Sequence, residues 1–327
     1  MKVPVAVLGG TGLVGQKAIA MLEKHPHFYV CEIAASDEKA SQAFEDVACW
    51  REVGPIPDSV RKLKLKKGSE VESQFVLSAL PPSIAKEIEP CLAEKGSFIF
   101  TNASFFRLYP DVPLLIPEIN LAHLKLIEKQ KTLGKIIANP NCTATFVALA
   151  LGPLMELGFI KEVSIVTMQA ISGAGYLGID TMDIMGNIIP HIHGEEEKIT
   201  QETLKILGAS FGITVHVHRV PVLHGHTIAI HVHFEDEIKL QEVYDIYLEK
   251  NTKWPELYCL YDAIDRPQPS RDIGPYDQKV HIGRIKHGTS KRTLGFIVMG
   301  NNLVRGAAGA SLRNMEVTLK YLEIPAL

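Results

Sequence analysis

The stretch VAVLGGTGLVG, residues 5–15, joins a short apolar run to a glycine-rich turn. Residues 5–8 predict a buried strand, and residues 16–24 predict a helix after the glycines. Glycines let the backbone approach a pyrophosphate closely, and the N-terminus of the following helix offers N–H groups and positive potential to it. The stretch therefore favours a dinucleotide-binding fold, although a purely structural glycine turn has the same local sequence.

A second apolar run, residues 28–35, predicts the strand that meets the adenosine ribose in such a fold. A carboxylate at the end of that strand selects NAD, whereas hydroxyl and cationic groups suit the 2′-phosphate of NADP. Ser36 and Lys39 therefore favour NADP, and the neighbouring Asp37 and Glu38 weaken that preference.

Short apolar runs and helical segments continue to alternate up to residue 140. Because such alternation is typical of parallel sheets, it predicts an α/β domain with a Rossmann-type doubly wound parallel sheet over residues 1–140. The segments are a strand at 75–80, a helix at 83–95, a strand at 98–100, an apolar run at 112–116 and a strand at 136–138.

The second half of the chain has longer strands and fewer helices. This change predicts an α+β domain with a mixed or antiparallel sheet over residues 141–302. A closing helix rich in small residues, within about 303–327, is expected to return to the first domain. The predicted strands are 163–171, 215–222, 227–234, 281–286 and 293–299, and the predicted helix is 195–207.

A cysteine stands at the junction of the two halves. Asn139-Pro140 ends a strand, Cys142 follows, and residues 143–157 predict an apolar helix interrupted near Gly152-Pro153. Backbone N–H groups and the helix dipole favour a thiolate at such a position. A lone cysteine is often a buried structural residue, so the local sequence leaves both interpretations open.

Composition limits the classes of function. The chain has 327 residues, 46% of them hydrophobic and 22% charged, which suits two globular domains. A net charge of -3 without a long basic run argues against nucleic acid as a partner. The densest basic stretch, residues 61–67, alternates with leucine and predicts a solvated edge strand.

Two further patterns bear on location. No apolar run approaches the roughly 18 residues that span a bilayer, so we expect no membrane association. Five cysteines lack disulfide-type or metal-type spacing, which favours a reducing compartment and leads us to expect a cytoplasmic protein.

Four His-x-His pairs occur in the second half, at 191/193, 216/218, 224/226 and 231/233. Such a pair on a strand faces one way and allows a metal site, but no cysteine or carboxylate has matching spacing, so we expect solvated histidines and no metal. His226 follows a glycine, and Arg219 lies seven residues earlier. Histidine can move a proton at neutral pH and arginine can clamp a carboxylate, although a surface turn explains the stretch equally well.

Seven motifs fall in the order found in one family. Together they resemble aspartate-semialdehyde dehydrogenase, especially its archaeal and fungal-type branch, over essentially the whole chain. They are residues 9–15 (GGTGLVG), 102–107 (NASFFR), 140–143 (PNCT), 169–176 (QAISGAGY), 194–198 (GEEEK), Arg219 with 225–227 (GHT), and 301–306 (NNLVRG).

The resemblance implies NADPH-dependent reductive dephosphorylation of L-4-aspartyl phosphate to L-aspartate 4-semialdehyde, a step towards lysine, threonine and methionine. It implies Cys142 as the thioester-forming nucleophile, His226 as general acid/base, Gln169 as the residue that orients the substrate and Asn141 as a support of the catalytic centre. The implied substrate contacts are Asn102, Arg107 and Lys198 for phosphate, Arg219 for the α-carboxylate and Glu195 for the α-ammonium group. The implied cofactor contacts are Gly9, Thr11, Gly12, Leu13, Val14, Gly15, Ser36, Lys39, Ser78, Gly173, Gly175 and Asn301.

These charges match aspartyl phosphate, with two cations for phosphate, one for a carboxylate and one anion for an amine. Without the resemblance, Glu195 and Lys198 are explained as an ordinary i,i+3 ion pair on a solvated helix face. Two positions depart from the family pattern. Leu177 replaces a usual proline, which bears on the loop conformation, and His224 replaces an acidic residue, which bears on the pKa of His226.

Other functions share parts of this pattern. A malonyl-CoA or other acyl-thioester reductase, or an N-acetylglutamyl-phosphate reductase, would use the same cysteine and histidine, but its substrate offers no ammonium group to Glu195. A dinucleotide-binding sensor without activity would not need Cys142, Gln169 and His226 together. The family also forms dimers or tetramers through the second domain, so the resemblance implies a homodimer or homotetramer that acts on a small molecule.

Overall fold

The computed structural model describes residues 2–176 and 178–323, and its contacts divide the chain into two compact units. The first unit comprises Met1–Pro140 and Ala307–Leu327, and the second comprises Asn141–Gly306. Leu177, whose replacement of proline bears on the Gly173 loop, lies outside the described residues.

The sheet of the first unit has six strands, and every neighbouring pair is parallel. The strand order is β3-β2-β1-β4-β5-β6, the order of a doubly wound dinucleotide-binding fold. This confirms the predicted α/β class and its parallel sheet. The strands are β1 (Val3–Leu8), β2 (Phe28–Ala35), β3 (Lys66–Lys67), β4 (Phe75–Ser78), β5 (Phe98–Thr101) and β6 (Lys135–Ala138).

The sheet of the second unit is mixed, which is one of the two arrangements predicted for it. Its order is β10-β11-β12-β9-β7-β8, with parallel pairs only at the two ends of the described sheet. The strands are β7 (Ile160–Gln169), β8 (Gly212–Arg219), β9 (His226–Phe234), β10 (Tyr258–Tyr261), β11 (Val280–His287) and β12 (Thr293–Gly300).

The helices surround these sheets. Those of the first unit are α1 (Leu13–Glu23), α2 (Phe44–Val47), α3 (Asp58–Arg61), α4 (Pro82–Glu94), α5 (Pro117–Asn120) and the closing α11 (Gly309–Tyr321). Those of the second unit are α6 (Cys142–Leu154), α7 (Thr181–Ile184), α8 (Glu195–Leu207), α9 (Leu240–Lys253) and α10 (Pro269–Asp272). Short 3-10 helices cover Asp37–Lys39, Gly68–Glu70, Leu121–Lys129 and Ile171–Ala174, and a π-helical turn covers Val304–Ala308.

The core of the first unit forms around stacked aromatic rings. The Phe75 ring lies 5.9 Å from that of Phe98 and 5.8 Å from that of Phe100. Leu312 and Met315 of α11 are buried in the same cluster. The closing helix is therefore part of this unit, because its apolar face completes the core.

Helix α6 is buried on all sides, which explains its uninterrupted apolar sequence. The predicted break near Gly152-Pro153 does not occur, because Pro153 lies in the last turn of the helix. A proline there cannot donate to the carbonyl of Leu149. The Tyr258 hydroxyl donates to that oxygen instead, at 2.8 Å.

Other local predictions were wrong in part. Only Lys66–Lys67 of the basic stretch 61–67 forms an edge strand. The apolar run 112–116 forms a single bridge, between Leu114 and Ala138. Helix α9 and strand β10 were not predicted.

Candidate active site

Cys142 is the first residue of α6, at the helix N-terminus where the sequence places it. The preceding residue, Asn141, caps the helix: its Oδ1 accepts hydrogen bonds from the N–H groups of Thr143 at 2.9 Å and Ala144 at 3.2 Å. The cap fixes the first turn and aligns the N-terminal dipole with the cysteine. The thiol is thereby held where negative charge on sulfur is favoured.

His226 faces the cysteine. Its Nε2 lies 3.1 Å from the Cys142 Sγ, and its Nδ1 accepts the N–H of Ala170 at 3.0 Å. Since Nδ1 is an acceptor, the neutral ring carries its proton on Nε2 and directs it at the sulfur. Burial and, to a lesser extent, the positive charge of Arg219 together lower the pKa of His226 to about 3. The exposed His224 is not the cause of this shift.

Gln169 and Arg219 end the neighbouring strands β7 and β8 and are paired in register. Both are buried, and the Arg219 Nη1 donates to the carbonyl of Ala170 at 2.7 Å. Within residues 2–176 and 178–323, neither the Gln169 Nε2 nor the Arg219 Nε has a hydrogen-bond partner. Buried donors are costly to leave unpaired, so these two suit a ligand that accepts hydrogen bonds.

Burial also lowers the pKa of Arg219, and the charges of Cys142 and Glu195 oppose that shift. The guanidinium remains charged because its ordinary pKa lies far above neutrality. A buried cation beside the thiol is suited to hold an anionic group of a substrate.

Glu195 and Lys198 begin helix α8 and do form the predicted i,i+3 ion pair, with Nζ and Oε1 3.1 Å apart. The ion pair is more than a surface feature, because the other oxygen of Glu195 accepts the Asn141 Nδ2 at 2.9 Å. The Glu195 side chain is only 12% exposed. Its carboxylate is therefore joined to the residue that caps helix α6.

Two glycines, Gly173 and Gly306, let the backbone lie close to the side chains of His226 and Cys142. A Cβ on Gly173 would lie 2.7 Å from the Arg219 Nη1 and 3.1 Å from the His226 Cε1. A Cβ on Gly306 would lie 2.6 Å from that of Cys142. Gly175, two residues further along the first loop, has a φ of +84°. Any larger residue at 173 or 306 would displace a side chain of the site.

Sequence reasoning missed two contributions to this site. Glu202 is buried and accepts the backbone N–H of Asn141 at 2.5 Å. Its spacing of seven residues from Glu195 places both on one face of α8, and this was the available signal. Ala170 contributes only its backbone: its N–H donates to His226 and its carbonyl accepts from Arg219. Contacts of this kind do not depend on the side chain, so the residue type gave no signal of them.

In the first unit, the glycine turn has the close approaches that a phosphate site needs. Gly9 has a φ of +70°, and a Cβ there would lie 2.6 Å from the Ala79 carbonyl oxygen. A Cβ on Gly15 would lie 2.3 Å from the oxygen of Gly9. Gly12, directly before α1, has no side chain to cap the helix, so the N–H groups of its first turn can face an anion. Between these glycines lie Thr11, Leu13 and Val14, which are half-buried.

Three other predicted cofactor residues have local roles. Ser36 is exposed directly after β2 and precedes the 3-10 turn that ends at Lys39, while Ser78 is the buried last residue of β4. Asn301 belongs to the second unit, where its Oδ1 caps the N–H of Leu303 at 3.1 Å. The Asn301 Nδ2 donates to the carbonyl of Gly274 at 3.1 Å, so this side chain has partners within its own unit.

Asn102 and Arg107, predicted for the phosphate, lie in the first unit. The Asn102 Nδ2 donates to the carbonyl of Ser78 and to the Ser311 Oγ, each at 3.0 Å. The Arg107 Nη2 donates to the carbonyl of Asn102 at 2.7 Å. The Asn102 side chain thus serves the local structure, and its backbone holds the guanidinium.

Residues 2–176 and 178–323 contain no group of three or more His, Cys, Asp or Glu side chains that could hold a metal ion. None of their helices is both long and apolar enough to cross a membrane.

The first unit has the doubly wound sheet of a nucleotide-binding dehydrogenase, and the second unit places a cysteine at a helix N-terminus beside a buried histidine, an arrangement suited to thiol chemistry. Residues 4–127 match the family model for the semialdehyde dehydrogenase NAD binding domain, and residues 151–305 match that for the semialdehyde dehydrogenase dimerisation domain. The chain belongs to the aspartate-semialdehyde dehydrogenase family. It is therefore an oxidoreductase with NADP(H) as cofactor, and the predicted activity stands.

Individual relatives support this assignment over the full length. The aspartate-semialdehyde dehydrogenase of Archaeoglobus fulgidus is 40% identical, with 98% of this chain and 99% of the relative aligned. The aspartate-semialdehyde dehydrogenase of Methanothermobacter thermautotrophicus is 39% identical, with 98% of this chain and 100% of the relative aligned. The crystal structure of the Candida albicans enzyme with NADP has a TM-score of 0.87 at 30% identity, over 98% of this chain and 99% of that one.

Proposed function

We propose that the reductive dephosphorylation of L-4-aspartyl phosphate proceeds on Cys142, assisted by His226, Gln169 and Asn141. The observation that carries this proposal is the 3.1 Å contact between the Cys142 Sγ and the His226 Nε2 at the capped start of α6. A thiolate there has both the helix N-terminus and an N–H donor to stabilise it.

In the first step the sulfur of Cys142 attacks the acyl carbon. The C–S bond forms, the C–O bond to phosphate breaks, and its electron pair leaves with the phosphate oxygen. The carbonyl oxygen becomes negative during this step and needs hydrogen-bond donors. The unpaired, buried Nε2 of Gln169 is the donor we assign to it.

The second step reduces the resulting thioester. The thioester carbon would take up the hydride that bound NADPH supplies, so its carbonyl oxygen would become negative and the tetrahedral oxyanion would remain attached to the Cys142 sulfur. The neutral ring of His226 keeps its one proton at Nε2 and stabilises the negative oxygen and sulfur by donating a hydrogen bond to them. Loss of the thiolate from carbon then releases the aldehyde and regenerates Cys142.

Charged residues define the substrate. We assign Arg219 to the α-carboxylate, Glu195 to the α-ammonium group, and Arg107 and Lys198 to the phosphate. The burial of Arg219 and Glu195 supports this, because a charge held away from water binds an opposite charge strongly. We assign Asn102 an indirect part, through the carbonyl that holds Arg107.

The first unit is proposed to bind NADP(H), and the second to carry catalysis and dimerisation. The open N-terminus of α1 and the tight turn between Gly9 and Gly15 fit a pyrophosphate. Ser36 and Lys39 would meet the 2′-phosphate at the end of β2. Gly173, which lies against His226, would face the nicotinamide side of the reaction.

The match to a dimerisation-domain model indicates an oligomer, and membership of the aspartate-semialdehyde dehydrogenase family supports a small-molecule substrate. We propose a homodimer or a homotetramer, which sedimentation analysis of the purified protein would distinguish. We also propose a cytoplasmic location. None of the five cysteines is paired in a disulfide, and unpaired cysteines are typical of proteins in a reducing compartment.

The direct test follows NADPH formation by absorbance, with L-aspartate semialdehyde, inorganic phosphate and NADP. We expect phosphate-dependent turnover that falls by about 10³-fold or more in Cys142→Ser. Cys259→Ser, a change of another partly buried cysteine in the same unit, should retain activity. Turnover in Cys142→Ser would refute the proposed nucleophile. Activity with malonyl-CoA but not with aspartate semialdehyde would refute the proposed substrate.

A further inference from the structure

Asn302 joins two loops that flank the catalytic histidine. Its side chain is buried, and its Oδ1 accepts the N–H of Gly225 at 3.0 Å. Its Nδ2 donates to the Ser172 Oγ at 2.9 Å, and that oxygen lies 3.3 Å from the Asn302 Oδ1. Both ends of one amide are therefore used, each by a different loop.

The two loops place residues of the site directly. Gly225 precedes His226 in the chain and has a φ of +94°, a conformation that glycine adopts readily and other residues rarely do. Ser172 precedes Gly173, which lies against the His226 ring and the Arg219 Nη1. The Asn302 amide therefore fixes the peptide before the histidine and the loop packed against its ring.

The segment that carries Asn302 also reaches the cysteine. The Asn301 carbonyl accepts the N–H groups of Val304 and Gly306, each at 3.2 Å, so residues 301–306 form a compact turn. Gly306, at the end of this turn, lies against the Cβ of Cys142. One short segment thus contacts the backbone on both sides of the Cys142–His226 pair.

We propose that Asn302 is a positioning residue that sets the distance and angle between the Cys142 sulfur and the His226 Nε2. It acts through Gly225 and Ser172, which are its hydrogen-bond partners. The proposal rests on the proposed function, in which that pair performs the chemistry. Small displacements matter, because a misplacement of about 1 Å can cost about 10²-fold in rate.

The test compares Asn302→Ala with wild type in steady-state kinetics and in the pH dependence of Cys142 alkylation by iodoacetamide, followed by peptide mass spectrometry. Alanine leaves the N–H of Gly225 and the hydroxyl of Ser172 without this partner. We expect kcat to fall by about 10- to 100-fold, with KM for aspartate semialdehyde and NADP within about threefold. The pH at which Cys142 alkylation reaches half of its maximal rate should rise, because the His226 Nε2–H no longer points at the sulfur and no longer stabilises the thiolate.

Asn302→Asp is the conservative variant. It keeps an oxygen for the N–H of Gly225, and the Ser172 hydroxyl can donate to the other oxygen. We expect it to regain most of the lost kcat. Rescue of this kind separates positioning from general destabilisation, because a carboxylate is no better for packing than an amide.

Asn251→Ala is the matched control. The Asn251 side chain also joins two backbone groups in the same unit, accepting the N–H of Tyr258 at 2.8 Å and donating to its carbonyl at 2.9 Å. We expect a similar loss of thermal stability, kcat within about twofold and an unmoved alkylation profile.

An Asn302→Ala variant with kcat within twofold and an unchanged alkylation profile would overturn the proposal, while Cys142→Ser would still test the chemistry separately. If Asn302→Ala does not fold, Ser172→Ala decides the matter through the same two measurements, with an expected loss of about 3- to 10-fold in kcat.

Discussion

Gln169 provides a test in which stability and activity should change in opposite directions. Its side chain is only 1% exposed, and its Nε2 has no hydrogen-bond partner among the described residues. An unsatisfied buried donor costs about 1–3 kcal/mol. Gln169→Met has a similar length and removes that donor. We expect the free energy of unfolding of the ligand-free protein to rise by about 1–2 kcal/mol, or about 2–4 °C in Tm per kcal/mol.

The same substitution should abolish most of the activity. If the Nε2 stabilises the negative oxygen that forms during acyl transfer, its loss costs about 10²–10³-fold in kcat, equivalent to about 2.7–4 kcal/mol. Scanning calorimetry without ligand and the NADPH assay measure the two effects on one preparation.

Gln130→Met is the control, because that amide is satisfied. The Gln130 Nε2 donates to the carbonyls of Asp111 at 3.0 Å and Ile136 at 2.8 Å, and its Oε1 accepts the N–H of Ile136 at 2.8 Å. The change should lower the free energy of unfolding by about 1–3 kcal/mol. The reasoning fails if Gln169→Met lowers Tm as Gln130→Met does, or if it keeps near wild-type kcat.

Two further predictions concern a glycine and a buried carboxyl group. Gly306→Ala places a Cβ 2.6 Å from that of Cys142 and should reduce kcat by about 10²-fold, whereas Gly212→Ala meets only ordinary contacts at 3.7 Å and should be silent in the same assay. Burial raises the pKa of the Glu89 carboxyl group from 4.5 to about 7. The unfolded chain therefore loses this proton at lower pH than the folded chain does. The free energy of unfolding should fall as the pH rises from 4.5 to about 7, by a total of about 3 kcal/mol. Glu89→Gln keeps an acceptor for the Thr101 hydroxyl and should lack that fall; equal changes in urea midpoints of wild type and variant from pH 5 to pH 8 would contradict it.

Several elements were predictable to the residue because their signals are local. Strand Phe28–Ala35 and helix Glu195–Leu207 have the predicted bounds. The strand is an apolar run that ends at polar residues, and the helix begins and ends at glycines with left-handed φ, Gly194 and Gly208. In both cases the residues that end the element lie next to it in the sequence.

Elements held by distant partners were harder to predict. Helix α9 buries Val243, Ile246 and Tyr247 within a mostly polar sequence, which gives a weak periodic pattern. Strand β10 has four residues and pairs with β11 at the edge of the sheet. Both depend on contacts made elsewhere, such as the Tyr247 hydroxyl on the carbonyl of Ala150 at 2.7 Å.

The sequence by itself determined the fold class, the family and the placement of Cys142 at a helix start, because apolar periodicity, glycine turns and ordered motifs act over a few residues each. Only the tertiary structure decided that His226 is neutral with its proton on Nε2, since that depends on burial and on the N–H of Ala170, 56 positions away. It also decided that Glu202 accepts the N–H of Asn141 and that Asn302 accepts the N–H of Gly225. A side chain's partners and its exclusion from water are properties of the packed chain, and local sequence does not contain them.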